Sequence, residues 1–150
     1  MDPLATAKAL YAAFIAHNMP GIMALLENDV EWTAFGPGFA LAVGEFKGQS
    51  CVADFFAKLI GPDTGQQVDT LFKPTLYFVG GGTVHVIGIE TGTLTARVDN
   101  GKLANKPFYN NFDHTLWFGA SGKISRFRAN YQLALTPPPS WLPTSGSGAA

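Results

Sequence analysis

Phe108-Tyr109-Asn110-Asn111-Phe112-Asp113-His114-Thr115-Leu116-Trp117-Phe118 is the stretch that decides how the rest of the chain reads. Alternate side chains of a strand face opposite sides of its sheet. One set here is Asn110, Phe112, His114, Leu116 and Phe118; the other is Asn111, Asp113, Thr115 and Trp117. The first set is the more apolar and is expected to face inward. Gly119-Ala120-Ser121-Gly122 then turns the chain into a further strand, Lys123 to Leu133. There Phe127, Ala129 and Tyr131 lie opposite Arg126, Arg128 and Asn130. Arginines seek solvent or partners, so Phe127 and Tyr131 are expected inside.

The preceding segments also read as sheet. Thr83 to Val98 is rich in Val, Ile and Thr, and Asp99-Asn100-Gly101 signals a turn after it, with the connection extending as far as Lys106. Val68 to Val79 is a long strand in which Pro74 implies an edge position or a bulge. Gly80-Gly81-Gly82 turns one into the other.

The N-terminal third is helical. Leu4, Ala7, Tyr11, Phe14 and Ile15 recur at helical spacing, and Ile22, Leu25 and Leu26 do so after a turn, with Asn18 as cap and Pro20 in the first turn. Val30-Glu31-Trp32-Thr33-Ala34-Phe35 alternates like a strand, with Val30, Trp32 and Ala34 inward, and stops at Gly36-Pro37-Gly38. After a Gly-rich loop, Val52, Phe55, Phe56 and Leu59 mark a third amphipathic helix starting near Gln49 or Ser50. Helices first and consecutive strands afterwards make an α+β pattern.

Composition bounds the function. The 150 residues suit one domain, and 47% hydrophobic with 14% charged residues can fill a core. A net charge of -1 gives no footprint for nucleic acid or anionic membranes. The single cysteine, Cys51, cannot form an internal disulfide or a cysteine-based zinc site, so a reducing cytoplasm is expected. The N-terminus shows no basic segment followed by an apolar stretch, and no signal peptide is expected. No phosphate loop, metal set or dinucleotide fingerprint is visible, so no cofactor and no metal are expected. Residues 1–133 are expected to form the domain, and residues 134–150, rich in Pro, Gly and Ser, a flexible tail.

The order of elements resembles the nuclear transport factor 2-like superfamily, and within it the SnoaL-like branch of polyketide cyclases and ketosteroid isomerase-like proteins. The resemblance is carried by Ala9-Leu10-Tyr11-Ala12-Ala13-Phe14, by Pro20 to Leu26 with Asp29-Val30-Glu31-Trp32, by Gly44-Glu45-Phe46-Lys47-Gly48, and by Phe112-Asp113-His114-Thr115-Leu116 with Gly122 to Arg128. It implies a cone-shaped barrel, a curved antiparallel sheet wrapped around the N-terminal helices, with an apolar pocket and often a homodimer. It also implies that Gly88 and Glu90 face inward with Val86, a placement that composition alone leaves open.

The resulting pocket is lined by Trp32, Val86, Gly88, Phe112, Leu116 and Phe127, with Asn110, Glu90, His114 and Tyr131 as polar groups. Apolar walls with a few polar groups are the usual make-up of a small-molecule site. His114 is either a proton carrier near neutral pH or a core histidine satisfied by one hydrogen bond. Glu90 is either a carboxyl tuned by burial for acid/base work or the partner of Arg97 or Arg128. Tyr131 is a wall residue or a donor to a carbonyl. Gly88 clears space for a ligand or relieves curvature.

Particular members of the superfamily ask for residues that this chain lacks. The ketosteroid isomerase pattern asks for an aspartate base and a tyrosine donor where this chain resembles it at Trp32 and Leu10, with Tyr11 adjacent but turned to another face. The limonene epoxide hydrolase pattern asks for an Asp-Arg-Asp set where this chain has Gly88, Glu90 and Ala129. Both activities are disfavoured. Many relatives end the last strand with an aspartate where Gln132 stands. What remains is cofactor-free aldol cyclisation, isomerisation or dehydration of an apolar carbonyl compound. The alternative is a non-catalytic module that binds a hydrophobic ligand or dimerises, with His85, Asp113 and Trp117 on the outer face meeting a second subunit.

Overall fold

The computed structural model describes residues 2–35, 44–60, 67–97 and 103–134, with side chains described over 2–35, 44–59, 71–93 and 107–130. In chain order these form α1 (Pro3–Ile15), α2 (Met19–Ala24), β1 (Leu26–Phe35), β2 (Gly44–Lys47), α3 (Gln49–Ile60), β3 (Gln67–Gly80), β4 (Thr83–Arg97), β5 (Leu103–Phe118) and β6 (Ile124–Ala134).

Local chemistry sets the helix ends. The Asp2 carboxylate accepts from the Leu4 and Ala5 amides, and Pro3 occupies the first turn, where a missing N–H costs nothing. At the other end Asn18 N–H bonds Ala13 C=O and His17 N–H bonds Phe14 C=O, the paired bonds of a Schellman motif. That motif needs a left-handed residue, and His17 takes it with φ 50°. Asn18 caps α2 through the Gly21 amide at 3.0 Å. The Gln49 amide at the start of α3 donates to the Met23 and Leu26 carbonyls at 3.1 and 2.9 Å, tying α3 to the junction of α2 and β1.

The strands form one curved sheet in the order β2-β1-β6-β5-β4-β3. β2 and β3 are its two edges and do not pair with each other, so it stops short of closure. β3 to β6 are joined as antiparallel neighbours, whereas β1 runs parallel to β6. The parallel pair exists because β1 returns beside the last strand of the chain, a pairing that no hairpin signal announces. Pro74 lies on edge strand β3 and beside a register shift between Pro74 and Leu76, so it has both the edge and the bulge that a missing N–H requires.

Three boundaries differ from the sequence reading. Leu26, spaced as a helix residue, opens β1 opposite Ile124 and is fully buried. Gly44–Lys47, within the expected loop, is a short edge strand on β1. β5 begins at Leu103, before the expected start at Phe108. The expected tail falls outside the described residues apart from Ala134, the last residue of β6.

The core lies between the inner sheet face and the helices. Ala7, Leu10, Tyr11 and Phe14 from α1, and Val52, Phe55, Phe56 and Leu59 from α3, meet Val84, Val86, Phe112, Leu116 and Phe127 from the sheet. No helix among the described residues is long and apolar enough to cross a membrane.

Candidate functional site

Register brings the polar groups together. Val86 pairs with His114, Gly88 with Phe112, and Glu90 with Asn110 across β4 and β5. Directly opposed residues share a sheet face, so all six point the same way. They are buried, while Ile87 and Asn111 on the other parity are exposed.

His114 is 3% exposed. Its Nδ1 is 2.6 Å from the hydroxyl of Tyr11. Its ring stacks on Phe112, with centroids 4.4 Å apart, and Tyr11 lies nearly parallel to it at 5.9 Å. Burial in this aromatic setting, followed by repulsion from His85, lowers the His114 pKa to about 3. The imidazole is therefore neutral at neutral pH and is a weak base. With the phenol as donor, Nδ1 accepts and the ring carries its proton on Nε2.

Glu90 is buried and its Oε2 accepts from Asn110 Nδ2 at 3.0 Å. Arg128, one expected partner, is exposed on the opposite parity of β6, with its guanidinium 5.6 Å from the Phe35 ring centroid. The side chain of Arg97, the other, lies outside the described residues.

Glu90 and His114 border one small cavity with Trp32, Phe127, Phe14 and Phe72, and α3 closes it through Phe55, Phe56 and Leu59. Its volume is about 20 Å³, room for about one water molecule. Trp32 stacks on Phe127 at 3.9 Å and forms a wall.

Of the residues singled out from sequence, Trp32, Phe127, Glu90 and His114 meet at this cavity. Val86, Asn110, Phe112 and Leu116 share the buried inner face. Gly88 is also buried, but the space its absent side chain leaves is taken by the Phe112 ring. Tyr131 is opposite Phe112 in the β5–β6 register, and its side chain lies outside the described residues. Tyr11 joins the site through its hydroxyl although it adjoins the isomerase-like position without occupying it. Its signal was the buried stripe Ala7, Tyr11 and Phe14, whose middle member alone carries a polar tip. Among the described residues no cluster of His, Cys, Asp or Glu could hold a metal.

The outer face has a second polar group. His85 Nε2 is 2.8 Å from Asp113 Oδ1, and its Nδ1 is 3.0 Å from the Thr115 hydroxyl. The Arg126 guanidinium lies 4.8 Å from the Trp117 ring centroid.

No protein-family model matches the chain, and no curated protein matches it. Solved structures do. An NTF2-like protein of unknown function from Burkholderia pseudomallei has 23% identity and a TM-score of 0.68 over 88% of this chain and 92% of its own. TerC co-crystallised with polyporic acid has 21% identity and a TM-score of 0.67 over 87% and 91%. RV0760c of Mycobacterium tuberculosis, in complex with estradiol-17beta-hemisuccinate, has 18% identity and a TM-score of 0.63 over 85% and 91%. Similarity at this level establishes architecture, and the chain has the nuclear transport factor 2-like fold.

Proposed function

We propose that the cone binds a small apolar molecule carrying a carbonyl or hydroxyl oxygen, and that it carries out cofactor-free acid/base chemistry on it in the manner of SnoaL-like cyclases. The observation that carries this reading is the buried Tyr11–His114 pair beside a cavity walled mainly by aromatic rings. A neutral imidazole held by a phenol is suited to hydrogen-bond an oxygen on which charge develops. It is poorly suited to be the proton carrier that the sequence suggested, because its pKa is about 3. Glu90, on the same cavity, is assigned the proton transfer, and Asn110 orients its carboxyl group. Structural relatives that were crystallised with polyporic acid and with a steroid ester support the ligand class.

A cavity of about 20 Å³ admits such a molecule only if the lining rings move. The test is a thermal-shift screen of steroids, aromatic polyketides and terpenoids, followed by turnover assays on every ligand that shifts the midpoint. Saturation at a hundredfold over the dissociation constant stabilises by about 2.7 kcal/mol. His114→Gln is expected to keep the fold and lose turnover. Binding without turnover in the wild type would favour a sequestering module, and silence across the screen would sink the small-molecule reading.

A second reading concerns assembly. Leu76, Phe78 and Ile87 are 52%, 54% and 38% exposed, and the β3–β4 register places Leu76 opposite Ile87 and Phe78 opposite His85. Exposed apolar groups gathered on one sheet face fit an interface. We assign a homodimer to this outer face, in the cytoplasm, where the free and exposed Cys51 thiol would stay reduced.

A further inference from the structure

Trp32 is 1% exposed, and its indole N–H has no hydrogen-bond partner among the described residues. Buried tryptophans ordinarily find an acceptor for this group, because a buried donor left unsatisfied has lost its hydration without compensation. The ring is not free to turn away and seek one. It is stacked on Phe127 at 3.9 Å with an interplanar angle of 11°, and Phe55 and Phe56 pack against it at 5.8 and 5.4 Å. A phenylalanine here would keep the stacking and need no partner. The indole therefore contributes a donor that no described residue uses, and Trp32 lines the cavity that Glu90 and His114 also border.

We propose that the Trp32 Nε1–H is the directional hydrogen-bond donor that selects an uncharged acceptor oxygen, such as a ketone or quinone carbonyl, on a flat apolar ligand. This rests on the small-molecule reading above. The acceptor is uncharged because, among the described residues, the cavity lining contains no Lys or Arg and the imidazole of His114 is neutral. A carboxylate or phosphate would lose its hydration there with no cation to replace it. The ligand is flat because the walls are largely aromatic rings, stacked at Trp32 and Phe127, edge-on at Trp32 and Phe56, and tilted at Phe14 and Phe56. Trp32 is thus a specificity-determining residue, distinct from the groups assigned to proton transfer.

The test uses two probes of nearly equal size, acetylnaphthalene and ethylnaphthalene substituted at the same ring position. Only the first has an acceptor oxygen. Calorimetric titration is run on the wild type and on Trp32→Phe. The expected result is about a three- to tenfold loss of affinity for the ketone in the variant, the range that one hydrogen bond supplies, with the hydrocarbon changed less than about twofold. Equal losses for both probes, or no loss for the ketone, would overturn the assignment and leave Trp32 as a wall. Failure of both probes to bind the wild type would overturn the pocket reading itself, and this inference with it.

If Trp32→Phe does not fold, the wild type decides by nitrogen-15 NMR. The Trp32 indole N–H resonance, assigned by elimination using Trp117→Phe and Trp141→Phe, is expected to move downfield with the ketone and not with the hydrocarbon. An equal response to both would overturn the proposal.

Discussion

The Tyr11 hydroxyl on the first helix and Nδ1 of His114 on the fifth strand lie 2.6 Å apart in a buried contact that spans 103 residues of chain. The bond links the helical layer to the inner sheet face. Removing it with Tyr11→Phe leaves the ring packing in place and deletes one buried donor. The expected cost is about 1–3 kcal/mol in urea unfolding. The same variant should perturb the nitrogen-15 shifts of the His114 ring, since the bond constrains its tautomer. A Tyr11→Phe protein of wild-type stability with unchanged imidazole shifts would show that this contact does not hold the site.

The buried His114 makes stability depend on pH in a defined direction. An unfolded histidine binds a proton below about 6.5, whereas His114 in the fold resists protonation down to about 3. Between those values the unfolded state holds more protons, so stability falls as pH falls, and the loss is complete near the lower value. At pH 5 the contribution is about 2 kcal/mol, at about 1.4 kcal/mol per pH unit. Denaturant midpoints of wild type and His114→Gln at pH 7 and pH 5 isolate it. The wild type should lose this additional stability on acidification and the variant should not. Parallel losses would mean that His114 is accessible to protons in the folded state.

The assembly reading is checked on the outer face alone. Ile87 is directed away from the pocket and opposite Leu76. Ile87→Lys should leave the melting midpoint of the protomer nearly unchanged and convert a dimer into a monomer by sedimentation velocity, because a charge at the centre of an apolar interface is desolvated without a partner. A wild type that sediments as a monomer, or a variant that remains dimeric, would remove the interface from this surface.

Much of this architecture was legible because sheet periodicity has only two phases. In β5 the set Asn110, Phe112, His114 and Leu116 could face only one way, and its burial follows that parity. Pro74 announced an edge or a bulge because it lacks an N–H. Elements without a strong period were not legible. Leu25 and Leu26 fit a helix and a strand start equally well, and the four residues of β2 are too few to show alternation. The Tyr11–His114 bond depends on how α1 is rotated against the sheet, which no local pattern encodes. That the Trp32 indole has no partner among the described residues is a property of its surroundings and could not be read from residue 32.

Gly88 shows the same limit. Its sequence position offered room for a ligand or relief of curvature. In the fold, a Cβ at residue 88 would run into the Phe112 ring and lie 2.5 Å from the Lys73 carbonyl oxygen. The first obstacle is a side chain, which can rotate. The second is the backbone of β3, next to the irregular register at Pro74, and can yield only if the two strands separate. Gly88→Ala is therefore expected to destabilise by about 1–3 kcal/mol, as overpacking does in a closely packed core. Phe112→Leu should relieve the first obstacle and leave the second. In a double-mutant cycle, Gly88→Ala should then cost less in the Phe112→Leu background than in the wild type, but not nothing. Full rescue would assign Gly88 wholly to seating the Phe112 ring. An unchanged cost would assign it to the close approach of β3, and a neutral Gly88→Ala in the wild type would show that neither neighbour needs the space.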